Sequence, residues 1–162
     1  MGQFPVIFIS LKSAYGDTFE QAYDALARIV VRLFSDYDFL LSSKNLSKED
    51  IENYRKYLKR DFLCDINSMG YVKEALEFLS NCLYKHYKKK VIILIDEYDV
   101  PLAKASEKGY HDEMVTLISQ FFDVMKITPN NNEYETSPIE KIVLTGCLKV
   151  AKNSIFTGVN NI

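Results

Sequence analysis

Three acids fall within four residues at Asp96-Glu97-Tyr98-Asp99, directly behind the apolar run Val91-Ile-Ile-Leu-Ile95. The run predicts a strand, and Pro101 prevents it from continuing. An apolar strand closed by two adjacent carboxylates suits Mg²⁺ chemistry: Asp96 would hold the ion, usually through water, and Glu97 would polarise the water that attacks a γ-phosphate. Adjacent residues leaving a strand point in different directions, so one carboxylate can face the metal while the other faces the nucleophile. The bland alternative is that these acids cap the next helix or pair with basic surface groups. A second strand, Lys141-Ile-Val-Leu-Thr145, stops at Gly146 and leads through Cys147 to Lys149. The Thr145 hydroxyl and the Lys149 cation could read a γ-phosphate and relay its loss. A backbone-bonded turn threonine and a solvated lysine are the corresponding structural alternatives.

Other chemistry-bearing residues carry less. His86 lies among Tyr84, Tyr87 and lysines at a helix end, where a packed or exposed role is expected. His111 precedes Asp112 and Glu113, which reads as an ordinary first helical turn enriched in acids. Cys64, Cys82 and Cys147 are odd in number and far apart, without CxxC spacing, so neither a disulfide framework nor structural zinc is expected, and a reducing cytoplasm fits. Cys147 has no assigned base and is not read as a nucleophile.

The elements that position the acids follow from periodicity. Pro5-Val-Ile-Phe-Ile-Ser-Leu11 has little polar alternation and predicts an inner parallel strand buried on both faces. Asp17 or Thr18 caps a long amphipathic helix running through Phe19, Tyr23, Leu26, Val30, Leu33 and Tyr37. Ser47-Lys-Glu-Asp50 opens a second helix, and Asn67 or Ser68 opens a third through Val72, Leu76, Leu79, Leu83 and Tyr87. Residues 42–45 and 61–67 read as polar connections, and Lys85 to Lys90 as a solvated basic run that complements the helix dipole. A last helix is predicted from Asp112 to Lys126, and a loop rich in Asn, Glu and Pro follows it. Strand, helices, strand, helix, strand is the alternation of a right-handed parallel α/β sheet, and the expected fold is a three-layer α/β sandwich around a short parallel sheet.

Composition narrows the function. In 162 residues, 48% apolar and 13% aromatic content supports one sizeable core, so a single domain over residues 1–162 is expected. A formal charge of −2 gives no basic footprint for nucleic acid or an anionic membrane. The apolar runs are far shorter than the ~20 residues a membrane span requires, and no basic signal-peptide region is visible.

A resemblance extends these readings. The chain resembles the AAA-ATPase-like domain of bacterial proteins that often carry a PD-(D/E)XK-type nuclease domain downstream, a group similar to the STAND branch of P-loop NTPases. The resemblance is carried by Phe4-Pro-Val-Ile-Phe-Ile-Ser10, Leu83-Tyr-Lys-His-Tyr87, Val91-Ile-Ile-Leu-Ile-Asp-Glu-Tyr-Asp99, Gly109-Tyr110 with Asp112-Glu-Met114, and Leu144-Thr-Gly146 through Val150-Ala-Lys152, Ser154-Ile-Phe156 and Asn160-Asn161. It implies a Walker B role for Asp96 and Glu97, a sensor-strand role around Thr145 to Lys149, and ATP with Mg²⁺ as cofactors of the complete domain. Two departures stand out. No glycine here starts a GxxxxGK(S/T) phosphate-binding loop, and Lys149 stands where the family typically has arginine, which keeps the charge and loses the planar fork.

The missing loop implies an incomplete P-loop NTPase core that alone binds ATP weakly and hydrolyses it negligibly, because phosphoryl transfer depends on positioning and charge stabilisation. The family's strand order of 5-1-4-3-2 makes residues 5–11, 91–95 and 141–145 its second, third and fourth strands. Loss of the first strand would expose the edge of the fourth, which favours a homodimer, a partner chain, or local rearrangement. The rival expectation is a non-enzymatic interaction module that reuses the fold and its open edge. A third is a small Mg²⁺ enzyme that uses Asp96, Glu97 and Asp99 directly.

Overall fold

Local signals start most of the helices. In the computed structural model, which describes residues 3–126 and 137–146, the Thr18 hydroxyl accepts from the Gln21 amide and begins α1, Phe19–Asp36. Ser47 and Asp50 form a reciprocal capping box that begins α2, Lys48–Tyr57. A short α3, Arg60–Leu63, and a 3₁₀ turn at Ile66–Ser68 lead into α4, Met69–Tyr87, which ends with Lys88 in the left-handed conformation. Helix α5, Val100–Lys108, has proline in its first turn and ends on left-handed Gly109, and α6 spans His111–Phe121.

Between these helices run β1, Val6–Ser10, β2, Val91–Asp96, and β3, Ile139–Leu144. They form one parallel sheet in the order β1-β2-β3, with Ser10 opposite Asp96 and Ile95 opposite Leu144. This is the α/β class and the strand adjacency expected from the sequence, in keeping with a small three-layer domain. The register shifts between Val91 and Ile92 where β3 enters.

The core gathers on one side of the sheet. Ile7, Ile9, Val91, Ile93 and Ile95 are buried there with α1, α4 and α6 residues such as Leu26, Val30, Leu79, Leu83 and Ile118. Aromatic stacking ties α1, α2 and α4 together: the Phe34 ring lies 4.1 Å from Tyr57, and Tyr57 lies 5.2 Å from Phe78, each pair nearly parallel. Tyr54 is fully buried and donates its hydroxyl to the Phe34 carbonyl at 2.8 Å, and the Tyr23 hydroxyl donates to the Leu63 carbonyl at 2.8 Å. These bonds join helices far apart in the chain without leaving a buried phenol unpaired.

Three sequence expectations are corrected, and one stretch without an expectation is assigned. Strand β1 is buried on one face only, because its other face shows Val6 and Phe8, the latter 58% exposed. The β-branched run reports strand propensity there rather than two-sided cover. Residues 61–67, read as a connection, contain most of α3 and a 3₁₀ turn. The stretch after Pro101 forms α5, where proline serves as a helix start as well as a strand stop. The helix predicted from Asp112 to Lys126 is α6 followed by a separate 3₁₀ turn at Asp123–Lys126, with Phe122 leaving helical geometry between them.

The outer edge of β1 is closed by a side chain. Tyr37, at the end of α1, donates its hydroxyl to the Val6 carbonyl at 2.6 Å and is also hydrogen-bonded to the Phe8 main chain. Burial, the larger effect, raises its phenol above the usual range. On the other side, main-chain bonds from Thr145 and Tyr98 turn the odd-numbered end of β3 toward β2. Alternation therefore turns the main-chain groups of Ile142 and Leu144 outward, and no strand pairs with them among the described residues.

Candidate functional site

Asp96 ends the central strand and is held on both sides. The Leu11 amide donates to the Asp96 carbonyl at 2.9 Å, and the Thr145 amide donates to the Ile95 carbonyl at 2.9 Å. The Thr145 hydroxyl donates a hydrogen bond to Asp96 Oδ1. Two residues read separately from the sequence are thus brought together at the carboxyl end of the sheet, where ligands of open parallel sheets bind. Ser10, paired with Asp96 in register, adds a half-buried residue with a hydroxyl at the end of β1.

Glu97 follows in the left-handed region with φ of 52°. A side chain in that conformation costs about 1–2 kcal/mol. Its carbonyl accepts from the Val100 amide at 3.2 Å and closes the turn into α5. Glu97 is half-buried, and its carboxylate has no hydrogen bond or ion pair with the described residues. The structure therefore joins Asp96 and Thr145 and leaves Glu97 beside them in a strained turn.

Gly146 explains how that turn fits. A Cβ at this position would meet Asp99 Oδ1 at 2.6 Å and the Tyr98 ring at 2.7 Å. Both contacts are shorter than real Cβ atoms make, so any larger residue here would have to displace the buried Tyr98 and Asp99 side chains from the end of β3. Asp99 is buried there, at 3% exposure. Burial raises the Tyr98 phenol, and the neighbouring Asp99 charge adds to the shift.

The side chains at this end of the sheet offer oxygen alone. Asp96, Thr145 and Ser10 offer only oxygen, and no group of three or more His, Cys, Asp or Glu side chains suited to a metal exists among the described residues. Oxygen is the donor type that Mg²⁺ takes.

The other sequence candidates separate cleanly. His86 Nδ1 meets the Ser43 hydroxyl at 2.8 Å and packs against Phe39 and Tyr87, the packed role expected. His111 lies 3.6 Å from Asp112 at the start of α6. Lys149 and Cys147 lie outside the described residues. Sequence reasoning missed Ser10, Gly146 and the Glu97 conformation. A hydroxyl at the end of β1 and the Thr145-Gly146 pair were visible signals, whereas nothing in a glutamate announces a left-handed backbone.

The chain has an open parallel α/β sheet with an acid at the tip of its middle strand, bonded to a threonine from the next, and in sheets of this kind ligands sit at the strands' carboxyl ends. Residues 1–156 match the family model described as Predicted AAA-ATPase, and the chain belongs to this AAA-ATPase-like family. No curated protein and no solved structure matches the sequence. Among the described residues, no helix is long and apolar enough to cross a membrane.

Proposed function

We propose that residues 1–162 are the magnesium-binding and sensor portion of an ATP-hydrolysing switch domain, with Asp96 as the Mg²⁺ residue, Glu97 as the residue that polarises attacking water, and Thr145 and Lys149 as readers of the γ-phosphate. The observation that carries this reading is the Thr145 to Asp96 hydrogen bond at the carboxyl end of adjacent parallel strands. When bound, Mg²⁺ would neutralise charge on the terminal phosphates. The chain's own contribution is positional. Thr145 orients one carboxylate oxygen of Asp96 and leaves the other for a metal-bound water, and the left-handed turn gives Glu97 a direction distinct from that of Asp96. A shift of Thr145 on phosphate loss would pull on Asp96 through the same bond and on Tyr98 through its amide, which donates to the Thr145 carbonyl at 3.3 Å.

The 162 residues contain no GxxxxGK(S/T) segment, so this polypeptide alone binds ATP weakly and turns it over negligibly. Thermal melting with and without Mg²⁺ tests the metal site. The expected result is a Mg²⁺-dependent rise in melting temperature that Asp96→Asn abolishes. Tight ATP binding by the isolated chain, or Mg²⁺-dependent turnover lost in Glu97→Gln, would overturn the inactivity.

A second reading is favoured by a separate observation: the sheet face with Val6, Phe8 and Val143 is exposed. On this reading the chain is a non-enzymatic interaction module that pairs with a second copy or a partner chain through the open edge of β3. Absence of any Mg²⁺ response, together with a concentration-dependent dimer lost when Ile142 is replaced by proline, would favour it over the switch.

A further inference from the structure

A groove of about 550 Å³ runs between β1 and α1 on the side away from β2. Its floor is apolar, formed by Ile9, Ala25, Ile29 and Leu33. Helix α1 delivers Arg28 and Arg32 to the groove from one face, since positions four apart lie above one another, and the end of β1 delivers Lys12. Asp36 is the one acid in the lining. Arg28 pairs with Asp24 at 2.6 Å, an exposed contact that holds the guanidinium only weakly, while Lys12 and Arg32 have no ion-pair partner among the described residues. Beside these cations stands Phe8, the most exposed large apolar side chain of the described residues. A chain with net charge −2 has thus placed three cations against one acid in a groove with an apolar floor that Phe8 also lines.

We propose that this groove binds a small phosphate-bearing molecule with a planar ring, with the phosphate against Lys12, Arg28 and Arg32 and the ring against Phe8. Arginine forks suit phosphate oxygens, and an exposed aromatic face suits a stacked ring. The volume lies within the range of small-molecule sites. An added peptide strand is the natural rival for a groove beside a sheet edge, but Tyr37 already bonds the Val6 carbonyl and the Phe8 main chain, so β1 has lost the positions such a strand would need. Ser10 lines the groove and also stands opposite Asp96, so the two sites are neighbours separated by one strand. The groove's ligand needs neither magnesium nor Asp96.

Calorimetric titration of the full chain with adenosine 5′-monophosphate at low ionic strength, in EDTA, tests the proposal. Saturable binding is expected, with ribose 5-phosphate and adenosine each weaker by about tenfold, and with weakening of similar size in Arg32→Ala and Phe8→Ala. Raised salt should weaken the monophosphate and leave adenosine nearly unchanged. Asp96→Asn should bind as the unaltered chain does, which separates this groove from the proposed magnesium site. No saturable binding, affinity unchanged in Arg32→Ala, affinity lost in Asp96→Asn, or tighter capture of a glutamate-rich peptide than of the monophosphate would each overturn the assignment.

Discussion

The helical layer and the carboxyl end of the sheet are built to opposite specifications. Among α1, α2 and α4, aromatic rings stack at 4.1 and 5.2 Å, and the buried phenols of Tyr23 and Tyr54 donate to main-chain carbonyls. Burial pushes both phenols above the usual tyrosine range, so they stay neutral donors wherever the fold survives. At the end of β2 a glutamate occupies a backbone conformation that disfavours side chains, and its carboxylate is without a described partner. The contrast teaches where this chain stores stability and where it spends some of it, since strained backbone persists only where the surrounding structure holds it.

That contrast breaks most easily at Phe34. Phe34→Ala should cost about 3–5 kcal/mol, because the ring is fully buried and stacked within the helical layer. Urea denaturation measures it, and a loss no greater than that of a surface substitution would remove the helical layer as the seat of stability. Gly146→Ala comes next, with about 1–3 kcal/mol from overpacking against Asp99 and Tyr98. It should also weaken any Mg²⁺ response by displacing Thr145, and an unchanged melting temperature would show that the turn is not tightly seated.

Glu97→Gly should act in the other direction. Relief of the left-handed glutamate stabilises the fold by about 1 kcal/mol, less the extra chain entropy of glycine. Destabilisation would mean that the Glu97 side chain holds the turn together. The smallest effect is expected at Asp50, whose carboxyl is lowered by Lys85 and Ser47 in spite of burial, which is the largest single influence and works the other way. Its folded value lies below its ordinary one of 3.8, so its contribution is present above that value and is lost as pH falls through the folded one. Asp50→Asn should cost about 0.5 kcal/mol near neutrality, since Lys85 is half-exposed, and the gap from the unaltered chain should close in acid. A gap that persists at low pH would assign the effect to the capping box rather than to charge.

Much of the scaffold was readable because its causes are local. Ser47 with Asp50, and Thr18 with Gln21, are short-range bonds whose residue types announce them. The parallel order of three strands followed from alternation with helices, and Asp96 and Thr145 followed from their places at strand ends. What stayed hidden depends on partners far along the chain. The exposure of Phe8 is set by what lies over the sheet, the seal on β1 by a tyrosine many residues later, and the need for glycine at 146 by Tyr98 and Asp99. Helix α3 is too short for periodicity to register, and α5 opens on a proline that also reads as a break.

The Tyr37 phenol occupies the rim of β1, and β3 carries the rim that no strand covers among the described residues. Should two copies meet through β3, the two-fold pairing would use both available rims at once and offer a third molecule nothing to extend. Association by that route stops at a pair, and removing one hydroxyl group, as in Tyr37→Phe, would convert a terminating unit into one that can add at either side.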